Sequence, residues 1–163
     1  MEKYVLEIDH ESCWGCKACE VACKQEFHVP DGIKLISVSE EGPKVVDGKL
    51  DFVFQVHVCK HCDEPECVDA CPEDAIVKRE DGIVVMDDKR CTGCRLCIEA
   101  CPYEVVAFDE EKGIALKCNL CHHRVDKGLF PACADNICLA HCVYFRDSEK
   151  INQVFSKKHV SGK

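Results

Sequence analysis

Short alternating runs of apolar and polar residues divide this chain into small elements. Leu50 to Val58 (L-D-F-V-F-Q-V-H-V) alternates along its length, the pattern of a half-buried strand. Y-V-L-E-I-D, starting at Tyr4, is a second strand-like run. Ala75 to Met86 reads as two short strands turning at Asp81-Gly82, and Val105 to Leu116 repeats the device around Glu111-Lys112-Gly113. Two short helices are expected. One lies within Cys16 to Phe27, with Ala18, Val21 and Ala22 on one face; the other runs from Leu120 to Gly128, stopped by Gly128 and Pro131. Val29 to Lys49 is broken by Pro30, Gly32, Gly42, Pro43 and Gly48 and is expected as a surface insertion. Arg146 to Lys163 is a polar tail ending in Lys157, Lys158 and Lys163, expected to be solvated or docked on a partner.

None of these elements is long, so composition has to say what unites them. The 163 residues suffice for one compact domain or two small ones, and 17 of them are cysteine. At that density cysteine chemistry organises the fold as much as aliphatic packing does. Disulfides fit poorly: an odd number cannot all pair, and thiols three residues apart on a tight loop lack the Cα separation a disulfide wants. No secretory signal precedes the first strand-like run, so a reducing compartment, the cytoplasm, is expected.

Charge narrows the partners. A net charge of −9 and the lack of a basic stripe argue against nucleic acid. No apolar run approaches the roughly 18 residues a membrane helix needs, so direct membrane insertion is not expected.

The cysteines fall into four groups, an internal repeat that dominates the sequence. Group one is Cys13, Cys16, Cys19 and Cys23. Group two is Cys59, Cys62, Cys67 and Cys71, its third member delayed by Asp63-Glu64-Pro65-Glu66. Group three, Cys91, Cys94, Cys97 and Cys101, repeats the spacing of group one. Group four holds Cys118, Cys121, Cys133, Cys138 and Cys142.

C-x2-C-x2-C lets one loop wrap three corners of a cubane, with backbone N–H groups turned toward the cluster sulfurs. The fourth thiolate follows three residues later, commonly before proline, and in two-cluster ferredoxins it binds the other cluster. Groups two and three end in Cys71-Pro72 and Cys101-Pro102, as that pattern requires. Zinc is the rival, since two C-x2-C pairs build a structural site, but zinc gains nothing from a third cysteine three residues on. Nothing resembles a nucleophile with its base, a phosphate loop or a substrate pocket.

With these groups, and with K-C-N-L-C-H-H-R-V-D-K-G-L-F-P-A-C from Lys117 to Cys133, the sequence resembles the iron–sulfur electron-transfer subunits of molybdenum and tungsten oxidoreductases, typified by the dimethyl sulfoxide reductase iron–sulfur subunit. The resemblance implies an α+β fold of two ferredoxin-like dicluster halves, with short β-hairpins and short helices, carrying three to four 4Fe–4S clusters. A polyferredoxin domain would span 1–145, its outer half about 1–50 plus 110–145 and its inner half about 51–109, with 146–163 as tail. Carried over by position, Cys59, Cys62, Cys67 and Cys101 would hold one cluster, and Cys91, Cys94, Cys97 and Cys71 its neighbour. Cys118, Cys121 and Cys133 would join Cys23, while Cys13, Cys16 and Cys19 would join one late cysteine.

Group four departs from the family. Where relatives continue P-A-C-x3-C-P, this chain runs Cys133-A-D-N-I-C-L-A-H-C without proline, leaving Cys138 or Cys142 to close the site; Cys138 keeps nearer the family register. Zinc with His122, His123 or His141 stays open there. Trp14 and Tyr103, beside ligand loops, either shield clusters or pack as ordinary core. His61, between two ligands, bonds a cluster sulfur or nothing; Lys60, Lys117 and Arg124 soften cluster charge or lie exposed.

The function implied is one-electron transfer, with potentials set by burial and by hydrogen bonds to sulfur anywhere from about −700 to +450 mV. The partner implied is a catalytic molybdenum/tungsten oxidoreductase subunit, with or without further electron-transfer subunits. The opening C-W-G-C-K-A-C-E-V-A-C-K-Q-E, with no twin-arginine leader or C-terminal membrane helix, is similar to the cytoplasmic small subunits of tungsten enzymes of the aldehyde oxidoreductase family, such as class II benzoyl-CoA reductase. The alternatives are a subunit of a carbon monoxide dehydrogenase, hydrogenase or formate dehydrogenase, a free polyferredoxin, and a zinc-bound scaffold.

Overall fold

A computed structural model describes residues 3–134 and 136–147. Its strands form two-stranded antiparallel pairs and nothing wider among the described residues. The first strand, β1 (Tyr4–Ile8), turns Leu6 and Ile8 inward, as the sequence pattern requires. A single 3-10 turn, His10–Ser12, follows, capped by the Asp9 carboxylate on the N–H of Ser12 at 3.2 Å.

Helix α1 (Ala18–Phe27) lies within the expected span, but its inward face differs from the one expected. Cys19 and Cys23, one helical turn apart, are its buried residues, while Val21 is 55% exposed. The helix is oriented by its cysteines; its few aliphatic side chains are too small and scattered to compete.

The segment expected as a surface insertion is a strand. β2 (Ile36–Val46) pairs with β3 (Lys49–Val58), from Ile36↔Val58 to Val46↔Lys49. Asp47 and Gly48 both have positive φ (50° and 76°), as a tight two-residue hairpin turn demands. A bulge at Glu41/Lys44 accommodates Gly42 and Pro43. Only the base of this hairpin is buried: Ile36, Val38, Val56 and Val58 are interior, whereas Val45 and Leu50 near the tip are 72% and 70% exposed. The alternation of Leu50 to Val58 thus marks a strand whose outer half overhangs the body. Glu20 on α1 ties the base down, accepting the N–H of Val38 at 2.5 Å and pairing with Lys34 at 2.7 Å.

The inner region alternates single helical turns with short hairpins. α2 (Glu66–Asp69) precedes β4 (Ile76–Lys78) and β5 (Val84–Met86), paired Ile76↔Met86. α3 (Leu96–Glu99) precedes β6 (Ala107–Asp109) and β7 (Ile114–Leu116), paired Ala107↔Leu116. Both hairpins sit where the sequence predicts them. α4 (His122–Val125) is one turn long, shorter than expected, because the backbone leaves helical geometry in turns that end at Gly128 (φ +74°).

The last strand, β8 (Val143–Asp147), includes the first two residues of the expected tail. It pairs with β1, Tyr4↔Asp147 to Ile8↔Val143, closing the two ends of the described chain on each other. The remainder of the tail, 148–163, lies outside the described residues.

Two aliphatic clusters result. The larger gathers Leu6, Ile36, Val58, Leu120 and Phe145; the smaller gathers Ile76, Val84, Val106 and Ala115. Cysteines belong to both, so each core is packed as much around sulfur as around carbon.

Candidate metal centres

The cysteine loops share one backbone feature. The residue before the second cysteine is left-handed in all four groups: Gly15 (φ +66°), His61 (+48°), Gly93 (+74°) and Leu120 (+54°). In groups one and three the residue after it, Lys17 (+59°) or Arg95 (+65°), is left-handed too and leads directly into α1 or α3. Left-handed residues set into such loops turn successive N–H groups toward one side, forming the anion-binding concavity that iron–sulfur sites use. The N–H of His61 lies 3.5 Å from Cys59 Sγ, that of Leu120 3.4 Å from Cys118 Sγ, and that of Ala75 3.3 Å from Cys71 Sγ. Glycine is required at two of these positions, since a Cβ would overlap the Phe54 ring at Gly15 and the Gly113 carbonyl oxygen at Gly93. The C-x-G-C spelling carries this signal in the sequence.

The loops bring the cysteines together across groups. Cys59, Cys62, Cys67 and Cys101 line one small pocket, walled by Pro65, Pro102 and Val84. Cys71, Cys91, Cys94 and Cys97 line a second. The last cysteine of group two therefore stands with group three, and the last of group three with group two. Burial pushes the Cys97 thiol up to about 11, helped by repulsion from Cys91, Cys67, Cys94 and Cys71.

A parallel exchange joins the first and last groups. Burial raises Cys133 well above the usual thiol range, and Cys118, Cys121, Cys23 and Cys19 reinforce it. Cys23 is raised by burial and then by Cys118 and Cys121. Cys142 is raised by burial, then by Cys138 and Cys13; Cys19, pushed up to about 11 mainly by burial, has Cys138 and Cys13 beside it. Cys138 and Cys142 are both buried, with their sulfurs 3.4 Å apart. Two further repulsions connect the sets: Cys118, pushed up to about 12 by burial, is repelled next most by Cys59, and Cys97 neighbours Cys67. None of the 17 cysteines is in a disulfide.

Four thiols around each hollow, with N–H donors aimed at sulfur, suit an anionic sulfur-rich core. His123 bonds Glu26 at 2.7 Å, His122 keeps its buried Nδ1 without a partner, and His141 is exposed.

The remaining candidates divide clearly. Trp14 and Tyr103 are 66% and 49% exposed, so neither is core packing. Lys60 is exposed, while Arg124 is half-buried and holds Glu26 at 3.1 Å and the Phe130 carbonyl at 2.8 Å. Lys117 and His61 are buried, 5% and 6% exposed.

Paired hairpins, one-turn helices and crossed cysteine loops define a ferredoxin-like α+β iron–sulfur protein that carries several 4Fe–4S clusters. Two models of the 4Fe-4S dicluster domain match over residues 12–76 and 50–148, and this protein belongs to that family. It is 41% identical over 139 residues to a tetrathionate reductase subunit of Salmonella typhimurium, covering 82% of this chain and 54% of that protein. It is 37% identical to a polysulfide reductase subunit of Wolinella succinogenes, over 96% of this chain and 85% of that one. To an anaerobic dimethyl sulfoxide reductase subunit of Haemophilus influenzae it is 36% identical, over 83% of this chain and 70% of the relative. The alignment thus spans about half the length of the first of these relatives and more of the others.

Proposed function

We propose that this chain is an electron-transfer subunit, relaying single electrons to or from the catalytic subunit of a molybdenum/tungsten oxidoreductase. The observation that carries this reading is that the thiol sets neighbour one another in series. Thiol–thiol repulsions run from Cys97 to Cys67, from Cys59 to Cys118 and from Cys133 to Cys19, and the outermost sets each hold an exposed cysteine, Cys94 and Cys16. A series with two accessible ends suits relay between two sites; a diffusing carrier with one docking site needs no such series.

The ligand sets we propose are Cys71, Cys91, Cys94 and Cys97; Cys59, Cys62, Cys67 and Cys101; Cys23, Cys118, Cys121 and Cys133; and Cys13, Cys16 and Cys19 with Cys138. Cys142 then sits beside the last set as a buried thiol. The clusters supply one-electron storage; the chain supplies thiolates, N–H donors to sulfur, and the low-dielectric surroundings that set each potential. The first two sets lie in the inner half, about 51–109, and the last two in the outer half.

The relatives' names support a reductase partner, each being called part of a tetrathionate, polysulfide or dimethyl sulfoxide reductase. The narrower partner, a tungsten enzyme of the aldehyde oxidoreductase family such as class II benzoyl-CoA reductase, rests on the opening cysteine motif alone. Iron–sulfur ligation of unpaired cysteines suits a reducing compartment, so we assign the chain to the cytoplasm. Among the described residues no helix is long and apolar enough to cross a membrane. Anaerobic purification from the native cell, with metal analysis of whatever co-purifies, tests the reading. A large chain carrying molybdenum or tungsten is expected, and the sequence of that chain decides between the two partners. Purification of this chain alone, with no catalytic subunit at any step, overturns it.

A further inference from the structure

Lys117 carries a charge that nothing conventional balances. It is 5% exposed, and its ammonium donates to the carbonyls of Val84 at 2.6 Å and of Cys118 at 2.7 Å. Among the described residues no carboxylate pairs with it. An ammonium taken out of water is costly unless negative charge lies close, and two carbonyl dipoles do not supply a full counter-charge.

The negative charge at hand is sulfur. Lys117 lines the cavity of Cys59, Cys62, Cys67 and Cys101, and it bonds the carbonyl of Cys118, the first cysteine of the next set. The neighbouring His61 reinforces this placement. Its Nδ1 accepts the N–H of Val84 at 3.0 Å, fixing the residue whose carbonyl grips the ammonium.

We infer that Lys117 is a shared counter-ion for the two central clusters, holding the potential of both above the value each would have without the charge. A core held by four thiolates is anionic and gains one further negative charge on reduction, so a fixed cation favours the reduced form. The inference rests on the ligand sets proposed above.

The test is a potentiometric titration followed by electron paramagnetic resonance on anaerobically purified full-length chain, with iron counted on each sample. Lys117→Met should keep its iron and lower the midpoints of two clusters by about 59 mV or more, a tenfold change in the reduced-to-oxidised ratio. The other two midpoints should stay, and Lys117→Arg should behave as wild type. Lys117→Gln keeps an N–H donor for the carbonyls without the charge, and should match Met. Unchanged midpoints in a fully loaded neutral variant overturn the inference, as does an equal shift of all four. Clusters lost from both neutral variants also overturn it, leaving Lys117 a folding role. Failure of the ligand sets themselves shows separately, as an iron count in the wild type that does not fit four cubanes.

Discussion

Cys142 presents two groups to one atom of Cys138: its N–H lies 3.3 Å from Cys138 Sγ, and the two sulfurs are 3.4 Å apart. Burial acts to raise the Cys138 thiol, but donors from Cys142, Val143 and Ala140 outweigh it and leave it lowered. A sulfur surrounded by N–H donors is suited to be a thiolate ligand, and a thiol directed at that sulfur is suited to donate to it. Cys138→Ala should therefore lose about four iron atoms per chain, one cubane, whereas Cys142→Ala should keep the full complement. Iron analysis of the two variants, prepared identically, decides; the reverse result would make Cys142 the ligand.

The crossed cavities make a second prediction. Cys71 lines the hollow of Cys91, Cys94 and Cys97, although it follows Cys67 in sequence. Cys71→Ser should alter the spectrum and potential of that cluster and leave the cluster of Cys59, Cys62, Cys67 and Cys101 unmoved. Damage confined to the latter would mean that each group keeps its own fourth ligand.

Gly93 meets two constraints, a φ of +74° and the Gly113 carbonyl where a Cβ would go, whereas Gly128 has the same φ and open space. Gly128→Ala should cost about 1 kcal/mol from backbone strain alone. Gly93→Ala should cost about 1–3 kcal/mol more and impair the cluster of Cys91. Midpoints of thermal bleaching, compared between the two variants, check the order.

Glu26 links α1 to α4 through His123 at 2.7 Å and Arg124 at 3.1 Å. The bond from His123 is the chief reason its carboxyl titrates below the ordinary glutamate range. A depressed carboxylate stabilises the fold above its unfolded pKa, and the contribution disappears as pH falls through the folded value. Glu26→Gln should therefore be less stable than wild type by about 1 kcal/mol at pH 7. The difference should shrink as pH falls below about 4, and denaturation at several pH values follows it. A gap that persists in strong acid would place the contact elsewhere.

The cysteine spacing makes the loops legible, because ligand chemistry dictates short fixed intervals; the inner hairpins are legible from alternation around Asp81-Gly82 and Glu111-Lys112-Gly113, and the crossed ligand sets follow from the family resemblance. The β2–β3 hairpin is harder to read, although V-V-D-G-K-L holds the turn signal, because the prolines and glycines around it suggest a loop. The face of α1 is obscured for a related reason: Cys19 and Cys23 read as ligands, while it is their burial that orients the helix. β8 depends on pairing with β1 at the far end of the sequence, a relation local pattern does not encode. For Lys117 the sequence allows either a charge-softening role or exposure, and only three-dimensional packing distinguishes the two.

The most direct test of four cubanes in one chain is the content of iron, acid-labile sulfide and zinc in anaerobically purified protein. About 16 iron and 16 sulfide per chain, without zinc, is the expected result. About 12 iron, or zinc in stoichiometric amount, would contradict it.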